Sequence, residues 1–264
     1  MNKTFDIKRF GNVLRHDAMS YFQNFGWTLV VLLAIPILIW SILYVNMDEP
    51  DALMNNERYG FLLFLAIIAM ILAPSRLYKN ANDSRKGIQF AMLPASNMEK
   101  FLSMTIFCIV VTPLLYLVGA VAIDCILTLI PGKNPYGGFV IGEIFDINIV
   151  KVELYDHLFL MPLPFYQVFL LLSYVSIFMF TNMIFKRRKV SKTIGILALI
   201  GIIFMVIFIR VILHYENIYE YDMIPDDTQE ILVKCAYYGY YVFNIILTIA
   251  MLYFTYYKIR KQKY

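Results

Sequence analysis

Few side chains in this sequence are spaced for chemistry. The three histidines, His16, His157 and His214, lie far apart, and neither H-E-x-x-H nor G-x-S-x-G occurs. The phosphate-cradling pattern G-x-x-x-x-G-K-[ST] is also missing, so any use of ATP must come from a separate chain. Cys108, Cys125 and Cys235 follow no metal-ligand spacing and form no disulfide framework, although Cys125 and Cys235 fall near one face and leave a bridge open. Asp222, Asp226, Asp227 and Glu230 offer carboxylate oxygens to a divalent cation, but a solvated acidic connection accounts for them equally well. No metal site, no cofactor and no enzymatic activity are expected, because paired carboxylates and nucleophile–base sets are missing at membrane depth. Two charges do interrupt long apolar runs, Asp124 and Arg210. Both fall late in runs of the same direction and so at a similar depth. Pairing across a helix interface would lower the cost of burying either one, and snorkelling to nearby headgroups is the alternative.

The elements that carry these residues are membrane spans. Of 264 residues, 60% are hydrophobic and 16% charged, and the mean hydropathy is +0.65. An ordinary soluble domain has about 25% charged residues, so a soluble globule is excluded. Apolar runs at 27–45, 60–75, 101–130, 165–185, 193–213 and 237–257 predict a single all-α transmembrane domain of six spanning helices. The second run is the weak one, with only 16 residues and Pro74 at its end. Sidedness supports it. With both termini cytoplasmic, residues 1–26, 76–100, 186–192 and 258–264 hold 18 of the 23 basic residues, as the positive-inside rule requires. The external connections before residue 60, at 131–164 and at 214–236 hold 14 of the 19 acidic residues. The net charge of +4 therefore conceals two opposed surfaces, and a nucleic-acid partner is excluded.

Local features refine the picture. Phe10, Val13, Leu14, Ala18, Tyr21, Phe22 and Phe25 recur at helical spacing ahead of the first span, which predicts an amphipathic interfacial helix within residues 1–26 whose cationic side meets lipid headgroups. Pro36 and Pro113 sit mid-span and predict kinks. Ala69 and Ala73, and Gly119, Ala120 and Ala122, mark close-packing faces. An alternating stretch between Phe139 and Leu154 predicts strands or a small lid in the external loop 131–164.

The most specific segment is the basic connection 76–100, which contains Ile88-Gln89-Phe90-Ala91-Met92-Leu93-Pro94-Ala95-Ser96-Asn97-Met98-Glu99-Lys100. Ser96 and Glu99 have capping-box spacing, and Pro94 turns Leu93 out of helical conformation. A short helix, a turn and a capped helix rising into the third span are expected. The phrase Leu93-Pro94-Ala95-Ser96 followed by Glu99-Lys100 resembles the loop between the second and third spans of permease subunits of bacterial type-2 ABC exporters. Six spans, cytoplasmic termini and an amphipathic leading helix extend the resemblance. It implies a multi-pass permease of the bacterial inner membrane that works by alternating access, paired with an identical or related permease and driven by a separate ATP-binding ABC subunit. It also implies a coupling helix over Ile88, Phe90, Met92 and Leu93, followed by the coupling-loop cap of Pro94, Ser96 and Glu99. The scarcity of intramembrane charge favours a hydrophobic or amphipathic substrate. The alternative is a multi-pass scaffold or sensor whose basic loops bind a cytosolic partner without transport.

Overall fold

The computed structural model describes residues 5–46, 55–79, 81, 92–131, 134–144, 149–154, 157–162, 166–216 and 226–261. After a leading helix α1 (Ile7–Asn24), six helices are long and apolar enough to cross a membrane. They are α2 (Gly26–Asn46), α3 (Asn55–Leu77), α4 (Asn97–Thr128), α6 (Tyr166–Ile184), α7 (Lys189–Glu216) and α8 (Asp226–Lys261). A one-turn helix α5 (Ile141–Ile144) and strands β1 (Ile149–Leu154) and β2 (His157–Pro162) lie between α4 and α6. The all-α membrane fold is thus as expected, with one small hairpin added.

The second span is longer than its apolar run. Asn55–Tyr59 continue the same helix, so the crossing segment is Glu57–Leu77, 21 residues. At 1.5 Å per residue that is about 32 Å, enough for a hydrocarbon core of about 30 Å.

The helices alternate in direction, so the bundle has two ends. One gathers α1, the last turn of α3, the start of α4 and the α6–α7 junction, and carries the basic residues. The other gathers the start of α3, the end of α4 and the start of α6, which the acidic runs of the sequence adjoin. Two apolar clusters fill the bundle, and α3 and α4 contribute to both. Tyr21, Phe25, Leu32, Leu62, Ala66, Ala69, Ala73, Phe107, Tyr116 and Ala120 join α1 through α4. Met70, Tyr78, Met104, Cys108, Val175, Met179, Met183 and Ile259 join α3 and α4 to α6 and α8. Helix α7 stays outside both, with most of its side chains exposed from Ile194 to Ile209.

Small residues let the inner helices approach. Ala69, Ala73 and Ala120 are buried, and a methyl group at Gly119 would stand 2.9 Å from the side chain of Leu33 on α2. Ala122, by contrast, faces outward. Pro113 lacks an amide hydrogen and crowds the preceding turn. The chain accommodates it with a π-helical stretch, Ile106–Val111, and the Thr112 hydroxyl donates to the Phe107 carbonyl at 2.8 Å. Pro36 lies within an uninterrupted α2.

Three features of the sequence take a definite form. The leading helix α1 is amphipathic, and part of its apolar face packs on the bundle: Val13 and Tyr21 are buried, Tyr21 packs on Phe107 of α4 with ring centroids 5.8 Å apart, and Phe22 stays exposed. Both ends of the acidic connection 214–236 are helical, since α7 continues to Glu216 and α8 begins at Asp226, and residues 217–225 lie outside the described residues. Of the alternating stretch between Phe139 and Leu154, Ile149–Leu154 forms the expected strand, paired antiparallel with His157–Pro162 beyond it so that Val152 stands opposite Phe159, while Ile141–Ile144 is a helical turn.

Candidate functional site

At the basic end, the recognisable phrase is locked to α1. Ser96 caps α4, and the capping box is complete: Glu99 N donates to Ser96 Oγ at 3.3 Å, and Ser96 N donates to Glu99 Oε2 at 2.8 Å. The other carboxylate oxygen reaches across the fold. Glu99 Oε1 accepts from Asp6 N at 2.9 Å and from Arg9 Nη2 at 3.1 Å. Asp6 is itself the N-cap of α1, accepting from Lys8 N and Arg9 N. A fully buried carboxylate is tolerable here because one guanidinium and two amide donors serve its oxygens. Two helix starts are joined through one side chain.

Immediately before this cap, Met92 is helical and exposed, Leu93 is half-buried and Pro94 is exposed. Ala95 N donates to Leu93 O at 2.7 Å, closing the turn that Pro94 starts. Ile88 and Phe90 lie outside the described residues, and of the expected coupling helix only Met92, helical, and Leu93, in the turn, are described.

One turn deeper, Asp17 of α1 forms a second node. Its Oδ2 accepts from the Tyr78 hydroxyl at 2.8 Å and from the Ser103 hydroxyl at 2.6 Å, while Oδ1 lies 3.2 Å from His16 Nδ1. Val13, Asp17 and Tyr21 share one face at four-residue spacing, which places a carboxylate among buried apolar side chains. Burial and the neighbouring Asp17 push the Tyr78 phenol well above its ordinary value, so it stays a donor. The main chain of Tyr78 is used as well. Its carbonyl accepts from Asn182 Nδ2 at 3.4 Å, and Lys189 Nζ donates to the carbonyls of Tyr78 and Lys79 at 3.5 and 2.9 Å. An ammonium at the start of α7 opposes that helix's dipole, but here it sits on the carbonyls of the two residues that follow α3, by the end of that helix where positive charge is favoured. Four spans and α1 therefore meet at the basic end through Asp17, Tyr78, Ser103, Asn182 and Lys189.

The acidic end holds the intramembrane charge, with a partner other than the expected one. Asp124 is buried, and its Oδ1 lies 3.5 Å from Arg58 Nη1 of α3. Its Oδ2 accepts from Val140 N at 3.2 Å. Arg58, also buried, donates to the Gly138 carbonyl and lies 4.0 Å over the Tyr136 ring. Arg210 is exposed on α7, a helix that packs on α6 and α3 rather than on the Asp124 face of α4. The physical reason is the helix extension noted above, which carries Arg58 onto the packing face of α3. Asn134 completes this end: its amide caps the carbonyls of Leu127, Thr128 and Ile130, and its Oδ1 accepts from Trp40 Nε1 at 3.2 Å and Tyr136 N at 3.0 Å. Residues 134–140 are thus folded onto α2, α3 and α4.

Sequence reasoning missed Arg58, Asp17 and Asn182. The first two were visible as periodicity: counting back from Ala73 and Ala69 through Ala66 and Leu62 in steps of three or four arrives at Arg58, and Asp17 sits midway between Val13 and Tyr21. No such stripe singles out Asn182.

Among the described residues, no group of three or more His, Cys, Asp or Glu side chains is placed to hold a metal ion. Asp226, Asp227 and Glu230 lie in the first turns of α8, and Asp222 lies outside the described residues. Cys108, Cys125 and Cys235 are free thiols. Comparison with protein-family models, curated proteins and solved structures finds no match to this chain.

Proposed function

We propose that this multi-pass membrane protein is the permease subunit of an ATP-driven ABC exporter in the bacterial inner membrane. The observation that carries the proposal is the Glu99 clamp. The phrase that resembles the type-2 permease loop is held by a complete capping box, and the same carboxylate fastens it to the cap of α1. A partner ATPase bound at residues 88–93 would push on the base of α4. Because α4 and α1 share Glu99 and Asp17, the push would reach both helices together and bias the packing of the bundle between two arrangements. The partner permease, identical or related, and the lipid bilayer share the outer surface, where α7 presents its apolar length. A hydrophobic or amphipathic substrate fits a bundle with so little free intramembrane charge.

Co-expression of tagged protein with its neighbouring genes tests this directly. The expected result is recovery of a P-loop ATPase, with loss of that ATPase and of transport in Phe90→Ala/Met92→Ala. Recovery of a different cytosolic protein through the same loop, with no ATPase and no transport phenotype, would instead establish the scaffold or sensor reading.

A further inference from the structure

A cavity of about 190 Å³ lies at the acidic end, walled by α2, α3 and α4 and by residue 136 of the folded connection. Its body is apolar, lined by Ile39, Phe61 and Leu127 among others. A cavity of about 150 Å³ lined by aliphatic and aromatic side chains is large enough to take benzene, so this one admits a group of six or seven carbons. Its charges are uneven. Glu57, Arg58 and Asp124 all contribute to the wall, two carboxylates against one guanidinium. The guanidinium is engaged by Asp124, the Gly138 carbonyl and the Tyr136 ring. Glu57 is exposed. A ligand with an anionic head would meet an excess of negative charge, whereas a cationic head would complete the balance next to Glu57.

We propose that this cavity is a binding site for a small alkyl- or arylammonium ion, its apolar body between Ile39, Phe61 and Leu127 and its ammonium on Glu57. The site is separate from the basic end, and its occupancy does not depend on an ATPase partner.

The two tryptophans supply the readout. Trp27 is remote and exposed, while Trp40 is buried and bonded to Asn134, whose oxygen also holds the Tyr136 amide of the cavity wall. In the full chain carrying Trp27→Phe, purified in detergent, Trp40 emission is titrated with hexylammonium, hexanol and hexanoate. The three probes share one apolar body and differ in head charge. A saturable change with hexylammonium is expected, with hexanol about tenfold weaker and hexanoate without effect. Glu57→Gln, a change at an exposed position, is expected to abolish the preference of amine over alcohol. Ile39→Phe, which narrows the cavity without removing a charge, is expected to weaken both. The proposal is overturned by any other order of the three probes, or by a response that fails to saturate and survives Ile39→Phe.

Discussion

Asp124 and Arg58 are each buried to better than nine-tenths, so removing one leaves the other without its counter-charge in a medium that solvates it poorly. Breaking such a buried pair costs about 3–5 kcal/mol, whereas replacing both members by apolar residues of similar size is often close to neutral. Arg58→Met is therefore expected to lower the unfolding free energy by about 3 kcal/mol, and Arg58→Met/Asp124→Leu by less than the single change. Arg210→Gln, at an exposed position, should stay within about 0.5 kcal/mol. Equilibrium unfolding in detergent measures all three, and equal losses for Arg58→Met and Arg210→Gln would contradict the observed pairing. At this scale Asp124 was legible as a buried charge, because an acid within a long apolar run must find a partner there or reach the headgroups. Its partner was not, since three-dimensional neighbours 66 residues apart leave no local trace.

The helix ends at the basic side form the next scale. Tyr78 donates to Asp17, which ties the end of α3 to α1, and burial together with Asp17 raises its phenol above the ordinary value of 10. A raised pKa means that the folded chain keeps this proton after the unfolded chain has lost it. The associated stability is complete below about pH 10 and is lost as pH climbs toward the raised value. Tyr78→Phe removes one hydrogen bond to Asp17, worth about 1.5–3 kcal/mol near pH 8. The gap between wild type and Tyr78→Phe is expected to narrow from pH 8 to pH 11 in thermal unfolding scans, and a constant gap would show that the phenol does not titrate in the unfolding transition. Helix existence and the Ser96–Glu99 cap were readable from spacing alone. Which residues of α1 meet protein was not: its seven apolar positions suit a lipid surface and a protein surface equally, and the structure buries Tyr21 and Phe25 against the bundle while Phe22 stays exposed.

The whole molecule is a dipole of charge across the membrane. Placing the basic end in the cytoplasm puts eighteen basic residues there against four acidic ones, and this distribution predicts the labelling of single thiols. Cys235, exposed near the start of α8, is expected to react with a membrane-impermeant maleimide in intact cells. Met92→Cys in a Cys235→Ser background should react only after permeabilisation, because Met92 is exposed at the opposite end. Cys108, fully buried, should label in neither case. The reverse pattern would invert the topology and place residues 88–93 out of reach of any cytosolic ATPase.

What the amino-acid sequence determined alone is the class of molecule: six spans, their order, the charge asymmetry between the two ends, and the capping box at the start of α4. Each follows from composition, run length or spacing within about a turn of helix, where the relevant interactions are local or are made with solvent and lipid. Only the tertiary structure decided which buried charge meets which, that Val13, Asp17 and Tyr21 of α1 face the bundle, and that Arg58, Asp124 and Tyr136 wall a cavity. Those outcomes depend on the rotation of each helix about its axis, which apolar spans specify weakly. An all-round hydrophobic helix has no preferred face in lipid, and its orientation is set by the few small and polar residues that its neighbours can accept.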